Sequence, residues 1–160
     1  MKIRALVAAA LLAASLTACS GGGETSSKES AGSPSPSASK AAELAPVWQP
    51  KLDTAAEGAM EICTTPSSAS CATALTDIML VVNDIESAIA ERVAAYPETT
   101  KQIAKMQEAT DLYVDEGCQG DPAADGPDSR CHGATYGITI GSASLGMTLL
   151  TDDMSLRPRP

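Results

Sequence analysis

The sequence predicts an all-α domain: a small four-helix up-down bundle, stapled by two disulfides and preceded by a disordered tether. Three observations predict it. Apolar residues recur at steps of three and four in four separate segments of the 160-residue chain. The composition holds no Phe, one Trp and three Tyr. A core built instead from Ala, Leu, Ile, Val and Met suits close-packed helices better than a sheet, where aromatic and β-branched residues concentrate. Finally, Cys63, Cys71, Cys118 and Cys131 bracket two short polar stretches, TTPSSAS and QGDPAADGPDSR, that read as corners between helices.

In the first segment Trp48, Leu52, Ala55, Ala59 and Ile62 form one stripe, with Pro46 and Pro50 early enough to belong to a helix start. The second is the strongest: Cys71, Leu75, Ile78, Val82, Ile85, Ile89 and Val93 keep helical spacing for more than twenty residues, with Ser68 or Ser70 as N-cap. Tyr96-Pro97 then breaks the chain. Pro97 and Glu98 suit the first turn of a third helix, whose weaker stripe is Ile103, Met106, Thr110 and Tyr113, ending near Gly117. The fourth segment carries Cys131, Ala134, Ile138, Gly141, Leu145 and Leu149. Tyr136, Ile138 and Ile140 alternate as a strand would, but the helical stripe outlasts the alternation. Gly133, Gly137 and Gly141 stand four apart in a stretch, 133–151, without charge. Such spacing serves either a membrane-embedded helix pair or tight packing inside the bundle, and the modest apolarity of the segment favours packing.

Residues 1–18 read as a signal peptide. Lys2 and Arg4 precede the apolar run Ala5–Leu16, which is too short to span a bilayer, and small residues close it. The stretch Leu16-Thr17-Ala18-Cys19 resembles the lipobox of bacterial lipoproteins. That resemblance covers residues 1–23 and implies that Cys19 becomes a lipid-modified N-terminus, anchored by acyl chains to the outer face of the cytoplasmic membrane. Cys19 is then the odd member of five cysteines, and an even set of four remains. In an exported chain such a set reads as two disulfides, and the short loops favour Cys63–Cys71 and Cys118–Cys131. Residues 19–44, rich in Gly, Ser, Pro and Ala, bury too little to offset their ordering entropy and form the tether. The helical domain is expected over 45–153 and a C-terminal tail over 154–160.

Removal of residues 1–18 takes away Lys2 and Arg4, leaving 9 basic against 20 acidic residues and a net charge of −11. An acidic surface of this strength disfavours nucleic acid. No G-x-S-x-G, H-E-x-x-H, P-loop or G-x-G-x-x-G motif occurs, and the sole histidine, His132, follows a disulfide cysteine at a helix start. The chain therefore reads as a non-enzymatic binding or interaction module of the cell envelope, its partners the membrane through the lipid and an envelope protein or cell-wall component. The alternative is a carrier of a small ligand or metal ion. For calcium the candidates are Asp121, Asp125 and Asp128, in an acidic stretch with Asp115 and Glu116, although the spacing departs from the EF-hand pattern. For haem the candidate axial ligands are Tyr96, Tyr113, Tyr136, His132 or a Met. No resident cofactor is expected.

Overall fold

The computed structural model describes residues 43–158; the signal sequence, Cys19 and nearly all of the expected tether lie outside the described residues. Every regular element among those residues is helical. Four longer helices are α1 (Ala45–Ala56), α3 (Ala69–Ile89), α4 (Pro97–Asp115) and α5 (Arg130–Ser155), with a single turn, α2 (Ala59–Ile62), after the first. Short 3₁₀ turns at Ala90–Ala95 and Pro122–Asp125 fill two of the connections.

Helix α3 follows its sequence stripe closely. Cys71, Leu75, Ile78, Val82, Ile85 and Ile89 are all buried, and the Ser68 hydroxyl accepts the Cys71 amide at 3.1 Å as N-cap. Val93, the last member of the expected stripe, is instead 46% exposed, because α3 ends at Ile89 and the 3₁₀ turn rotates the chain off the helical register. Helix α5 likewise buries Cys131, Ala134, Ile138, Gly141, Leu145 and Leu149 on one face, and Ser129 caps it. It runs two residues past the expected end of the domain. Within α4, Ile103, Met106 and Tyr113 face the core, whereas Thr110 is half-buried and returns its hydroxyl to the Met106 carbonyl.

The first segment differs from its expectation in two ways. Pro50 lies in the interior of α1, not at its start, since the helix already begins at Ala45. And the stripe does not continue into Ile62, which is 40% exposed. The chain breaks at Gly58, whose φ of 70° only glycine adopts at little cost, and α2 restarts on a new axis with Ala59 and Cys63 turned inward.

Both ends are joined by long-range hydrogen bonds. At one, the start of α1, the start of α4 and the end of α5 meet. Ala45 N donates to Asp153 Oδ2 (2.7 Å), Tyr96 OH to Asp153 Oδ1 (2.8 Å), and Thr99 gives both its amide (2.9 Å) and its hydroxyl (2.8 Å) to Asp152 Oδ2. At the other, Tyr113 OH donates to Pro66 O (2.6 Å), Gly120 N to Ser67 O (2.9 Å), and Ser67 donates twice to Asp125. The disulfides Cys63–Cys71 and Cys118–Cys131, as read from the sequence, sit at this second end.

The glycines of α5 find their use inside the bundle. A Cβ on Gly137 would stand 2.9 Å from Ala109 Cβ, and one on Gly141 would stand 2.7 Å from Met106 Cγ, so these two positions let α4 and α5 approach closely. Gly133, by contrast, faces open space. No helix among the described residues is long and apolar enough to cross a membrane.

Candidate functional site

Helices built from small aliphatic side chains leave hollows where they splay, and α3 is flanked by two. The larger, ≈ 940 Å³, lies between α1 and α3. The shortness of α1 creates it: after twelve residues the chain turns away at Gly58, while α3 continues for 21. Ala55, Ile62, Ala74, Leu80 and Val81 give the groove an apolar lining, and Lys51, Glu57 and Asp77 stand at its margin with charges of both signs. Leu80 is 59% exposed, an unusual position for a leucine beside a hollow of this size. Lys51 is positioned by a cation–π contact, 3.9 Å over the Trp48 ring.

The second hollow is a cleft of ≈ 310 Å³ between α3 and α4. Its lining includes Leu75, Met79, Leu80, Tyr113 and Val114, with Ile138 of α5 among the residues that reach it. Farther along the same pair of helices a smaller hollow, ≈ 210 Å³, is lined by Ile89, Val93 and Ile103. Between the two, Gln107 Nε2 donates to Glu86 Oε2 at 2.9 Å and links α4 to α3. A further shallow hollow beside α5 brings Met60, His132, Gly133 and Tyr136 together.

The acidic residues expected near the Cys118–Cys131 loop are placed separately. Asp125 is committed to Ser67, accepting its amide at 2.9 Å and its hydroxyl at 2.7 Å, and those two bonds hold its carboxyl below the usual range. Asp121 accepts the Ala123 amide and caps the 3₁₀ turn that follows it. Asp128 is exposed on the loop, and Glu116 pairs with Arg130. Among the described residues no three His, Cys, Asp or Glu side chains gather in a metal-binding group.

Of the groups considered for haem, His132, Tyr136 and Met60 line the hollow beside α5, whereas Tyr96 and Tyr113 lie elsewhere and are already engaged. Tyr96 is fully buried and occupied by Asp153; burial, first, and that hydrogen bond, second, push its phenol up to about 12. Tyr113 is buried against Pro66, and burial raises it too. Tyr136 is exposed, and His132 is half-buried with Nε2 3.4 Å from the Asp125 carbonyl oxygen.

The most concentrated polar chemistry lies where the sequence reading placed none. Asp152 and Asp153, 3% and 1% exposed, are the buried carboxylates of the described domain. Asp153 accepts the amide of Ala45, the first residue of α1, and Asp152 accepts the amide of Thr99 in the first turn of α4. Neither helix has a side-chain cap of its own. Each aspartate therefore caps another helix from across the bundle, where the positive end of that helix dipole favours the negative charge. Among the described residues no buried side-chain nitrogen or oxygen lacks a partner.

Comparison with protein-family models, with curated proteins and with solved structures finds no match to this chain.

Proposed function

We propose that the chain is an exported lipoprotein, held at the outer face of the cytoplasmic membrane by lipid on Cys19, with residues 19–44 as tether. The helical domain then acts as a non-enzymatic binding module of the cell envelope. The observation that carries the binding reading is the α1–α3 groove, with exposed Leu80 and Ile62 beside it and Lys51, Glu57 and Asp77 at its margin. An apolar lining with a rim of both charge signs suits an apolar segment of an envelope protein: the lining takes its side chains and the rim its polar backbone.

The reading includes an up-down-up-down order of α1, α3, α4 and α5. The shared contacts of the Ala45, Thr99 and Asp153 region, and those of the Pro66, Tyr113 and Asp125 region, support that order. Glu43, where the tether would join the domain, pairs with Arg157 at the C-terminal end of α5. A small-ligand carrier is the second reading, and the α3–α4 cleft is the observation that favours it.

Two substitutions test the proposal separately. Cys19→Ser is expected to release the folded chain from the membrane fraction, and undiminished membrane retention would refute the anchor. For the groove, a photo-crosslinking residue at position 80 of the anchored chain is expected to capture a discrete envelope protein. Adding Lys51→Ala and Ile62→Asp in the rim and lining should weaken that capture. If position 80 captures no more than an exposed control position such as 91, the groove is not the docking site.

A further inference from the structure

The outward face of α5 carries a second pattern, independent of its buried stripe. Tyr136, Ile140, Ala143, Met147, Leu150 and Met154 follow one another at steps of four, three, four, three and four. All but the half-buried Ile140 are exposed, and Met147, at 64%, is among the most exposed apolar residues described. The faces of α5 turned toward the bundle are occupied: Gly137 and Gly141 lie against α4, Gly146 lies near Gln49 of α1, and Ile138, Leu145 and Leu149 are in the core. We propose that this seam pairs with the same seam of a second copy of the chain, antiparallel, about a two-fold axis near Leu145.

Three observations select that occupant. The seam takes only two positions in seven, which is the width of a helix–helix contact; a helix lying in a lipid surface needs a broader apolar face. Its immediate flanks, Gly137, Ser144, Thr148 and Thr151, are small or polar, not basic. Charge makes the same choice. The chain is strongly acidic, so a second copy is repelled over most of the surface, but residues 133–151 carry no charge at all. Finally, the spacing is its own reverse. Antiparallel pairing about Leu145 sets Tyr136 against Met154, Ile140 against Leu150 and Ala143 against Met147, so each large side chain meets a seam residue of the other copy. The same arrangement brings Arg157 of each copy level with Gly133 of the other, toward the corner that holds Asp128 and Glu116.

Six seam residues form a modest interface, and confinement of both copies to one membrane raises their effective concentration enough to populate it. That strengthening rests on the anchor proposed above; the pairing geometry does not. The two tether attachments, beside Arg157 of each copy, would stand about 36 Å apart along the axis, the rise of the residues between 133 and 157, a span within reach of about 25 residues of extended chain.

Site-directed disulfide capture tests the pairing. Two differently tagged copies of the full chain, one with Ala143→Cys and the other with Met147→Cys, are expressed together and oxidised in the cell fraction that holds them. A mixed-tag dimer is expected, as it is for Ile140→Cys with Leu150→Cys, and at least tenfold less for Leu150→Cys with itself. In the antiparallel pair those two Leu150 positions are offset by about 15 Å along the axis, beyond disulfide reach. The wild-type chain sets the background. Dominant 150–150 capture would replace the proposal with a parallel pair. Failure of both mixed combinations in chains that retain their two native disulfides would overturn it. So would an environment-sensitive dye at position 147 that reports lipid in place of protein.

Discussion

At one end of the domain, two disulfides close short loops, with partners eight and thirteen residues apart in sequence. At the other, segments as far apart as Ala45 and Asp153 are joined without a covalent link, and the buried part of that junction rests on two carboxylates. The difference follows from chain topology. A local corner can be stapled covalently, because its two cysteines are already near each other, and the staple acts by restricting the unfolded chain. Three segments remote in sequence offer no such short loop, and there buried hydrogen bonds between helix starts and a helix end do the joining. Their contribution depends on every donor keeping its acceptor.

The largest effect is therefore expected at the carboxylate end. Asp153→Ala leaves the buried Ala45 amide and Tyr96 hydroxyl without their acceptor and should lower stability by about 3–5 kcal/mol. Urea unfolding measures it. Removing the covalent staple should cost less: replacing Cys118 and Cys131 together with Ala is expected to cost about 3 kcal/mol through the loop it frees. If the disulfide variant proved the more damaged, the contrast between the two ends would be inverted.

The ends should also part company with pH. Tyr96 has its phenol pushed up from 10.0 to about 12, so the folded chain holds that proton more tightly than the unfolded one. The associated stability is full below pH 10 and is lost as pH rises from about 10 to about 12, a loss of about 2–3 kcal/mol. Tyr96→Phe removes this contribution from the alkaline limb of a stability–pH curve, leaving that of Tyr113, whose phenol burial also raises, while lowering the plateau by about 1–2 kcal/mol. Asp125, at the disulfide end, has the opposite sign. Its lowered value means that its contribution is present above the ordinary carboxylate range and fades as pH falls through the lowered value. Ser67→Ala removes the hydroxyl bond and keeps the amide bond, so it should reduce that acid sensitivity and leave the alkaline limb untouched, which a pair of pH titrations would check.

Much of this fold is local in origin and so was legible in the sequence. The stripes of α3 and α5, the Ser68 cap and the two short-loop disulfides each depend on residues within a few turns of one another. What periodicity did not disclose is long-range. Asp152 and Asp153 follow an apolar helix and look like a solvated end, yet their partners lie 53, 57 and 108 residues away. One signal was present: two acids at a helix C-terminus oppose that helix's own dipole, which implies donors from elsewhere. Pro50 inside α1 and the outward turn of Ile62 were hidden for a related reason, since a stripe does not reveal where a neighbouring helix lets the chain break. The grooves beside α3 are mismatches between helix lengths and axes, and no single segment encodes them.

Between the two ends runs α5, and its glycines allow the smallest and most discriminating comparison. Gly→Ala in a helix interior ordinarily stabilises by about 1 kcal/mol, because alanine restricts the unfolded chain and propagates the helix better. At Gly133 nothing lies within 4 Å of the added methyl, so Gly133→Ala should stabilise by about 0.5–1 kcal/mol. At Gly137 the methyl would meet Ala109 Cβ at 2.9 Å, and that atom cannot swing aside because it is fixed to the α4 backbone. The resulting separation of α4 from α5 should outweigh the propensity gain and leave a net loss of about 1–2 kcal/mol. Gly141→Ala meets a methionine at 2.7 Å, a flexible side chain that can change rotamer, and should fall between the other two. The ordering 133 above 141 above 137 in thermal midpoint is the test. Equal gains at all three positions would mean that α4 and α5 do not approach as closely as this packing requires, and with that the internal role of the glycines would fail.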